Sequence, residues 1–142
     1  MGIYGKNVTS NLCNMSNKMR RKLDSLAPNT GLSGAQSRVL HYLIEYSDKE
    51  IFQKDIMEAF GMRSSTATEL LKKMESDGLI QKVPCSYDAR LKRIIPSETA
   101  LVHKDSVQNG LDELEMQLTK GISKGNLEIF NQILEKMIAN IS

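Results

Sequence analysis

The chain has 142 residues, 40% of them apolar and 25% charged, with a net charge of +2, a balance ordinary for a soluble globular protein and unlike that of a disordered or membrane-embedded one. A chain of this length hides roughly 68–70% of its unfolded surface on folding, so a single domain over 1–142 can hold a core without metal or disulfide. No apolar run approaches the ~20 residues that span a bilayer; Met1-Gly2-Ile3-Tyr4-Gly5-Lys6 carries neither a signal-peptide core nor a myristoylation signal, so a cytoplasmic protein with no membrane contact is expected.

Val8, Leu12, Met15, Met19, Leu23 and Leu26 recur at spacings of three and four, one face of an amphipathic helix that ends at Pro28-Asn29-Thr30-Gly31. Ser33-Gly34-Ala35-Gln36 reads as a capping box opening a second helix to about Tyr46, with Val39, Leu40, Leu43 and Ile44 inward. After the turn Ser47-Asp48-Lys49-Glu50, Ile51-Phe52 is long enough only for a stub of strand. Gln53 to Phe60 forms a short helix with Ile56, Met57 and Phe60 inward, stopped by Gly61. Ser64-Ser65-Thr66 offers N-caps for a fourth helix carrying Ala67, Leu70, Leu71 and Met74, ended by Asp77-Gly78. Two helices across a tight turn make a helix-turn-helix, in which the second helix is presented to DNA.

Past Gly78 the period changes: Leu79 to Val83 reads as a strand, Pro84 to Arg90 as a polar loop, and Lys92-Arg93-Ile94-Ile95 as a returning strand, together a charged hairpin wing. From Glu98 a long helix shows Leu101, Leu111, Leu114 and Leu118 and is interrupted by Gly110. A last helix after Gly121 to Gly125 shows Leu127, Phe130, Leu134, Met137, Ile138 and Ile141. Neither terminal helix can bury its stripe alone, so a homodimer through 1–27 and 98–142 is expected, with 33–97 as the DNA-facing part. The charge agrees in outline: residues 61–97 hold seven basic and four acidic groups, residues 98–142 four and seven.

The fold class is thus mostly α with a small β-wing: a winged helix-turn-helix with N- and C-terminal dimerisation helices. It resembles the multiple-antibiotic-resistance regulator (MarR) family over essentially the whole chain, on three stretches. Gly31-Leu32-Ser33-Gly34-Ala35-Gln36 followed by Val39-Leu40 is similar to the family's lead into its second helix. Ser65 through Ile80 resembles the recognition helix and its turn into the wing, and Asp88-Ala89-Arg90 followed by Leu91 to Ser97 resembles the wing signature. Pro96 stands where the family usually has leucine and removes an amide, so a short returning strand is expected. The resemblance implies a homodimer, usually a repressor, on a pseudopalindromic operator of double-stranded DNA, with a small aromatic or lipophilic effector acting near the junction of the two modules.

Arg90 is the sharpest site candidate, a guanidinium for the minor groove with Asp88 to hold its direction. Lys92 and Arg93 lie on opposite faces of their strand, so one is expected to reach phosphate and the other to be solvated. Arg63, Ser64, Ser65, Thr66 and Thr68 fall in the turn and first turn of the recognition helix, with Lys72 one turn beyond; one of Ser64 and Ser65 is expected merely to cap. Cys13 sits early in the first helix, as does the reactive cysteine of the family's hydroperoxide sensors. Its distance to Gln36 is shorter and its neighbours differ, so a small buried apolar residue is preferred over a redox switch. Cys85 is read as an incidental thiol, and the two cysteines form no C-x-x-C pair. His41 and His103 have no ligand-spaced partners, and there is no phosphate loop, nucleophile elbow or carboxylate and histidine cluster, so no metal, cofactor or enzymatic activity is expected. The competing reading is a winged-helix module that docks protein without binding DNA; a basic rather than apolar wing argues against it.

Overall fold

A computed structural model describes residues 7–26 and 30–142. The first six residues, on which the targeting expectation rests, and the Pro28-Asn29 turn lie outside the described residues. In chain order the elements are α1 (Val8–Asp24), α2 (Gly34–Glu45), α3 (Gln53–Phe60), α4 (Ser64–Ser76), β1 (Ile80–Pro84), β2 (Lys92–Pro96), α5 (Glu98–Leu101), α6 (Lys104–Thr119) and α7 (Lys124–Ile141). No helix among the described residues is long and apolar enough to cross a membrane.

The residues up to Gly110 make one compact unit and Leu111–Ser142 another. In the first, α2 lies at the centre, packed against α1, α4 and β2. Val39, Leu40 and Leu43 of α2 are buried with Ile56 of α3, Ala67, Leu71 and Met74 of α4, Ile80 of β1 and Ile94 of β2. Each helix supplies the apolar face that its spacing of three and four dictates; Ile44, expected inward, is only half-buried.

The start of α2 is tied at several points. Ser33 Oγ accepts from the Gln36 amide at 3.1 Å, and Gln36 Oε1 accepts from the Ser33 amide at 3.1 Å, the expected capping box. Asp24 at the end of α1 accepts from the Gly34 amide at 3.0 Å. The buried Gln36 side chain also donates through Nε2 to Asp77, the C-cap of α4, at 3.1 Å. Gly34 is required here by close approach, since a Cβ built on it would lie 2.6 Å from Leu23 Cβ. Gly34→Ala should therefore cost about 1–3 kcal/mol, as overpacked sites do, outweighing the ~1 kcal/mol gained in helix propensity. Urea unfolding of the two proteins measures the difference.

The hairpin pairs β1 and β2 antiparallel, with Ile80 opposite Pro96, Lys82 opposite Ile94 and Pro84 opposite Lys92. The Ser97 amide donates to Leu79 carbonyl at 3.0 Å below the strands and the Cys85 amide to Leu91 carbonyl at 2.9 Å above them. Antiparallel pairs alternate between bonded and non-bonded. Pro84 and Pro96 consequently both occupy non-bonded positions, where a missing amide costs the ladder nothing. This corrects two expectations: Pro96 does not shorten the returning strand, and Pro84 belongs to the strand rather than the loop. Ile51-Phe52 forms no strand; its whole contribution to the sheet is Ile51 carbonyl, which accepts from the Ile94 amide at 2.7 Å.

The long helix expected from Glu98 is broken at Val102-His103, not at Gly110. Ser97 caps α5, accepting from the Ala100 amide at 3.0 Å. A new helix starts at Lys104, with the Val107 amide bonded to His103 carbonyl at 2.9 Å. Gly110 sits within α6, close to Leu26, whose Cδ1 would be 3.2 Å from a Cβ built there.

In the second unit, the end of α6 turns through Gly121 (φ 79°) into α7, which Ser123 caps by accepting from the Asn126 amide at 3.2 Å. No described residue of Leu111–Ser142 is buried. Phe130, Ile133, Ile138 and Ile141 are exposed, while Leu127, Leu134 and Met137 are half-buried. Val8, Leu12 and Met15 of α1 are exposed as well.

Candidate nucleic-acid interface

The turn between α3 and α4 is set by Gly61, left-handed at φ 60°, and closed by the Met62 amide on Met57 carbonyl at 2.9 Å. Helix α4 then starts one residue earlier than a serine cap would require. Arg63 is the N-cap, in an extended conformation and without a side-chain cap hydrogen bond. A guanidinium has donors only and cannot accept from an amide. The expectation that Ser64 or Ser65 caps the helix is therefore corrected: both lie in its first turn, exposed with Arg63 and Thr66. Free first-turn amides suit a negatively charged group.

Ala67, Leu71 and Met74 fasten α4 by its inner face. Ser65, Thr68 and Lys72, spaced by three and four, share an outward face, and Thr66 lies on the flank of Lys73. Lys73 is paired with Asp77 at 3.5 Å. Gln53 of α3 reaches across the turn and donates through Nε2 to Thr68 Oγ1 at 2.9 Å. With that lone pair occupied, the Thr68 hydroxyl still has its own proton to donate.

On the wing, the Asp88 carboxylate receives three donors from Arg90: its amide at 3.0 Å, Nε at 3.1 Å and one terminal nitrogen at 3.0 Å. This fork fixes the direction of a guanidinium that is itself 91% exposed. The pairing favours both charged forms: hydrogen bonds from Arg90 hold the Asp88 carboxyl below its ordinary pKa, and the Asp88 carboxylate raises Arg90. Lys92 is exposed. Arg93 is half-buried, with an Nε that finds no acceptor among the described residues, and its charge acts on Glu50.

Sequence reasoning missed Glu50 and Gln53. Glu50 Oε1 accepts from the Ser86 amide at the start of the wing loop at 3.0 Å. The Ser86 hydroxyl and amide together hold the Glu50 carboxyl below the usual carboxylate range. The only signal was an acid beside Ile51, the residue that joins the hairpin. Cys13 also departs from expectation: it is exposed on α1, whose outer face is uncovered in a single protomer, while Cys85 is buried at the wing's base.

A sequence model of the MarR family matches residues 30–91, the span from the lead into α2 to the wing. The transcription regulator MarR from Oenococcus oeni PSU-1 superposes with a TM-score of 0.85 at 29% identity, covering 94% of this chain and 99% of that one. Over its winged part the chain is similar to the MarR family, and over nearly its whole length to a MarR regulator. The family consists of transcription regulators, not enzymes. Among curated relatives, the HTH-type transcriptional repressor IacR of Pseudomonas putida is 24% identical over 130 residues, 92% of this chain and 77% of that protein. The S. aureus MepR–DNA complex shares the fold, with a TM-score of 0.86 at 22% identity, covering 96% of this chain and 97% of MepR.

Proposed function

We propose that this chain is a MarR-family transcription regulator that binds double-stranded operator DNA as a homodimer, with α4 in the major groove and Arg90 of each wing in a flanking minor groove. The observation that carries this reading is Arg90: an almost fully exposed guanidinium, aimed by a bidentate carboxylate, in the loop of a hairpin that follows a recognition helix whose N-terminus has no side-chain cap. Arg63, Ser64, Ser65, Thr66, Thr68, Lys72 and Lys92 complete the surface, with Asp88 as the holder of Arg90. Residues 33–97 then form the DNA-reading part, and the helical ends form the assembly part, in the cytoplasm where the DNA is.

Repression is the sign favoured by the P. putida relative, a transcriptional repressor. A half-open groove of about 640 Å³ beside the recognition turn, lined by Met19, Leu23, Arg38, Phe60 and Met62 together with polar residues such as Ser16 and Asp24, is the place to look for a small aromatic or lipophilic effector. Arg38 lies 4.8 Å over the Phe60 ring there, and burial lowers its pKa.

The wing also exposes Tyr87 and Leu91, as a protein-docking wing would. Footprinting on the DNA upstream of the chain's own gene separates the readings. The DNA reading expects two protected half-sites about 10–10.5 base pairs apart, centre to centre, or a multiple of that. Absence of protection at low salt would overturn it.

A further inference from the structure

We propose that Glu50 is a positioning residue for DNA binding: by anchoring the Ser86 amide, its carboxylate fixes the root of the wing loop and so aims Arg90. The inference rests on the reading of Arg90 as a DNA contact. The wing loop is held at its far end by the Asp88 fork, by the Leu91 amide on Asp88 carbonyl at 3.0 Å, and by the Cys85 amide on Leu91 carbonyl at 2.9 Å. Those bonds are all internal to the hairpin. They shape the tip without fixing it against the body of the domain.

Besides the packing of β2 on α2 and of β1 on α4, two bonds from one short segment do that. Ile51 carbonyl takes the Ile94 amide at 2.7 Å, and the adjacent Glu50 takes the Ser86 amide at 3.0 Å, so β2 itself and the continuation of β1 into the loop are tied to the residues leading into α3. Because α3 is packed against α4, the wing and the recognition helix share one footing. The charge of Glu50 also acts on Arg93 of β2 and on Tyr87 of the loop. A carboxylate near a phosphate-facing surface opposes binding by its charge alone. Any affinity it adds must therefore come through geometry, and this gives the test its sign.

The full chain is compared with Glu50→Ala and Glu50→Gln, each with and without Arg90→Ala, on a duplex selected by the wild-type protein from a randomised pool. Amide hydrogen exchange at Ser86 is followed in the absence of DNA. Glu50→Ala should speed Ser86 exchange and weaken binding about tenfold when Arg90 is present, but by less than about twofold in the Arg90→Ala background. Glu50→Gln keeps an oxygen acceptor for Ser86 and should bind as well as wild type or better. Should Glu50→Ala unfold the chain, Glu50→Asp, one methylene short of Ser86, is read in the same way. Tighter binding by Glu50→Ala, equal losses in both backgrounds, or unchanged Ser86 exchange would each overturn the proposal. If Arg90→Ala alone leaves affinity unchanged, the Arg90 reading itself fails, and that single variant identifies the failure.

Discussion

A chain ended after Ser123 should lose its dimer, and with it operator binding. Such a truncation removes α7, on which Ile129, Phe130, Ile133, Ile138 and Ile141 are all exposed. Fully burying a large apolar side chain is worth roughly 1.5–3 kcal/mol, so even half-burial of these five against a second copy contributes several kcal/mol. Contiguous apolar surface of this kind marks an interaction site on a soluble protein. Separating two DNA-reading halves also forfeits the gain from linkage, typically a factor of 10²–10⁴ in affinity. Sedimentation velocity at micromolar concentration measures the assembly. The full chain should run as a dimer, while Phe130→Glu with Ile133→Glu, which keeps the length, should run as a monomer. A compact, stable full-length monomer would contradict the dimer reading outright.

The helices were legible because their apolar residues recur at three and four, and the start of α2 because a capping box is a local pattern: Ser33 and Gln36 need only each other. The wing was legible as a change of period after Gly78. What escaped was decided by relations between distant residues. Whether Pro96 harms its strand depends on which pairs of the ladder are bonded, and that register is fixed by Ser97 on Leu79 and Cys85 on Leu91. Gly110 looked like a helix breaker because nothing in the sequence announces Leu26 against it.

The site divides in the same way. Residue types and the wing motif were enough to single out Arg90, Asp88 and the hydroxyls of α4. The partner of Thr68 lies 15 residues back and that of Ser86 lies 36 back, so Gln53 and Glu50 could not be found from spacing. Strand alternation gives Lys92 and Arg93 two faces but not their burial: Lys92 is exposed and Arg93 half-buried. The cap of α4 was misplaced for a simpler reason. Serine is the better capping residue, but Gly61 and Met62 set the turn so that the chain is already helical by Ser64.

Operator binding should fall steeply with salt, and the wing and recognition helix should respond to mutation in different ways. A dimer that neutralises about 6–10 phosphates loses roughly 10³–10⁵ in affinity between 50 and 200 mM salt. Arg90→Ala removes a nearly bare guanidinium from each wing, so it should weaken binding to A·T-rich duplexes of any sequence and flatten the salt slope by about one per wing. Thr68→Ala and Arg63→Ala should leave more of the slope intact. They should instead narrow the gap between operator and random DNA, by about 1–3 kcal/mol where a base contact is lost. For Thr68, with Gln53 donating to its oxygen at 2.9 Å, the matching contact is a base acceptor such as guanine N7 or O6 or thymine O4, to which the hydroxyl can donate. Fluorescence anisotropy against salt on both DNAs places each variant in one class or the other. If all three leave operator affinity within about twofold of wild type at every salt concentration, the DNA-reading surface lies elsewhere, and the exposed Tyr87 and Leu91 become the place to look for a protein partner.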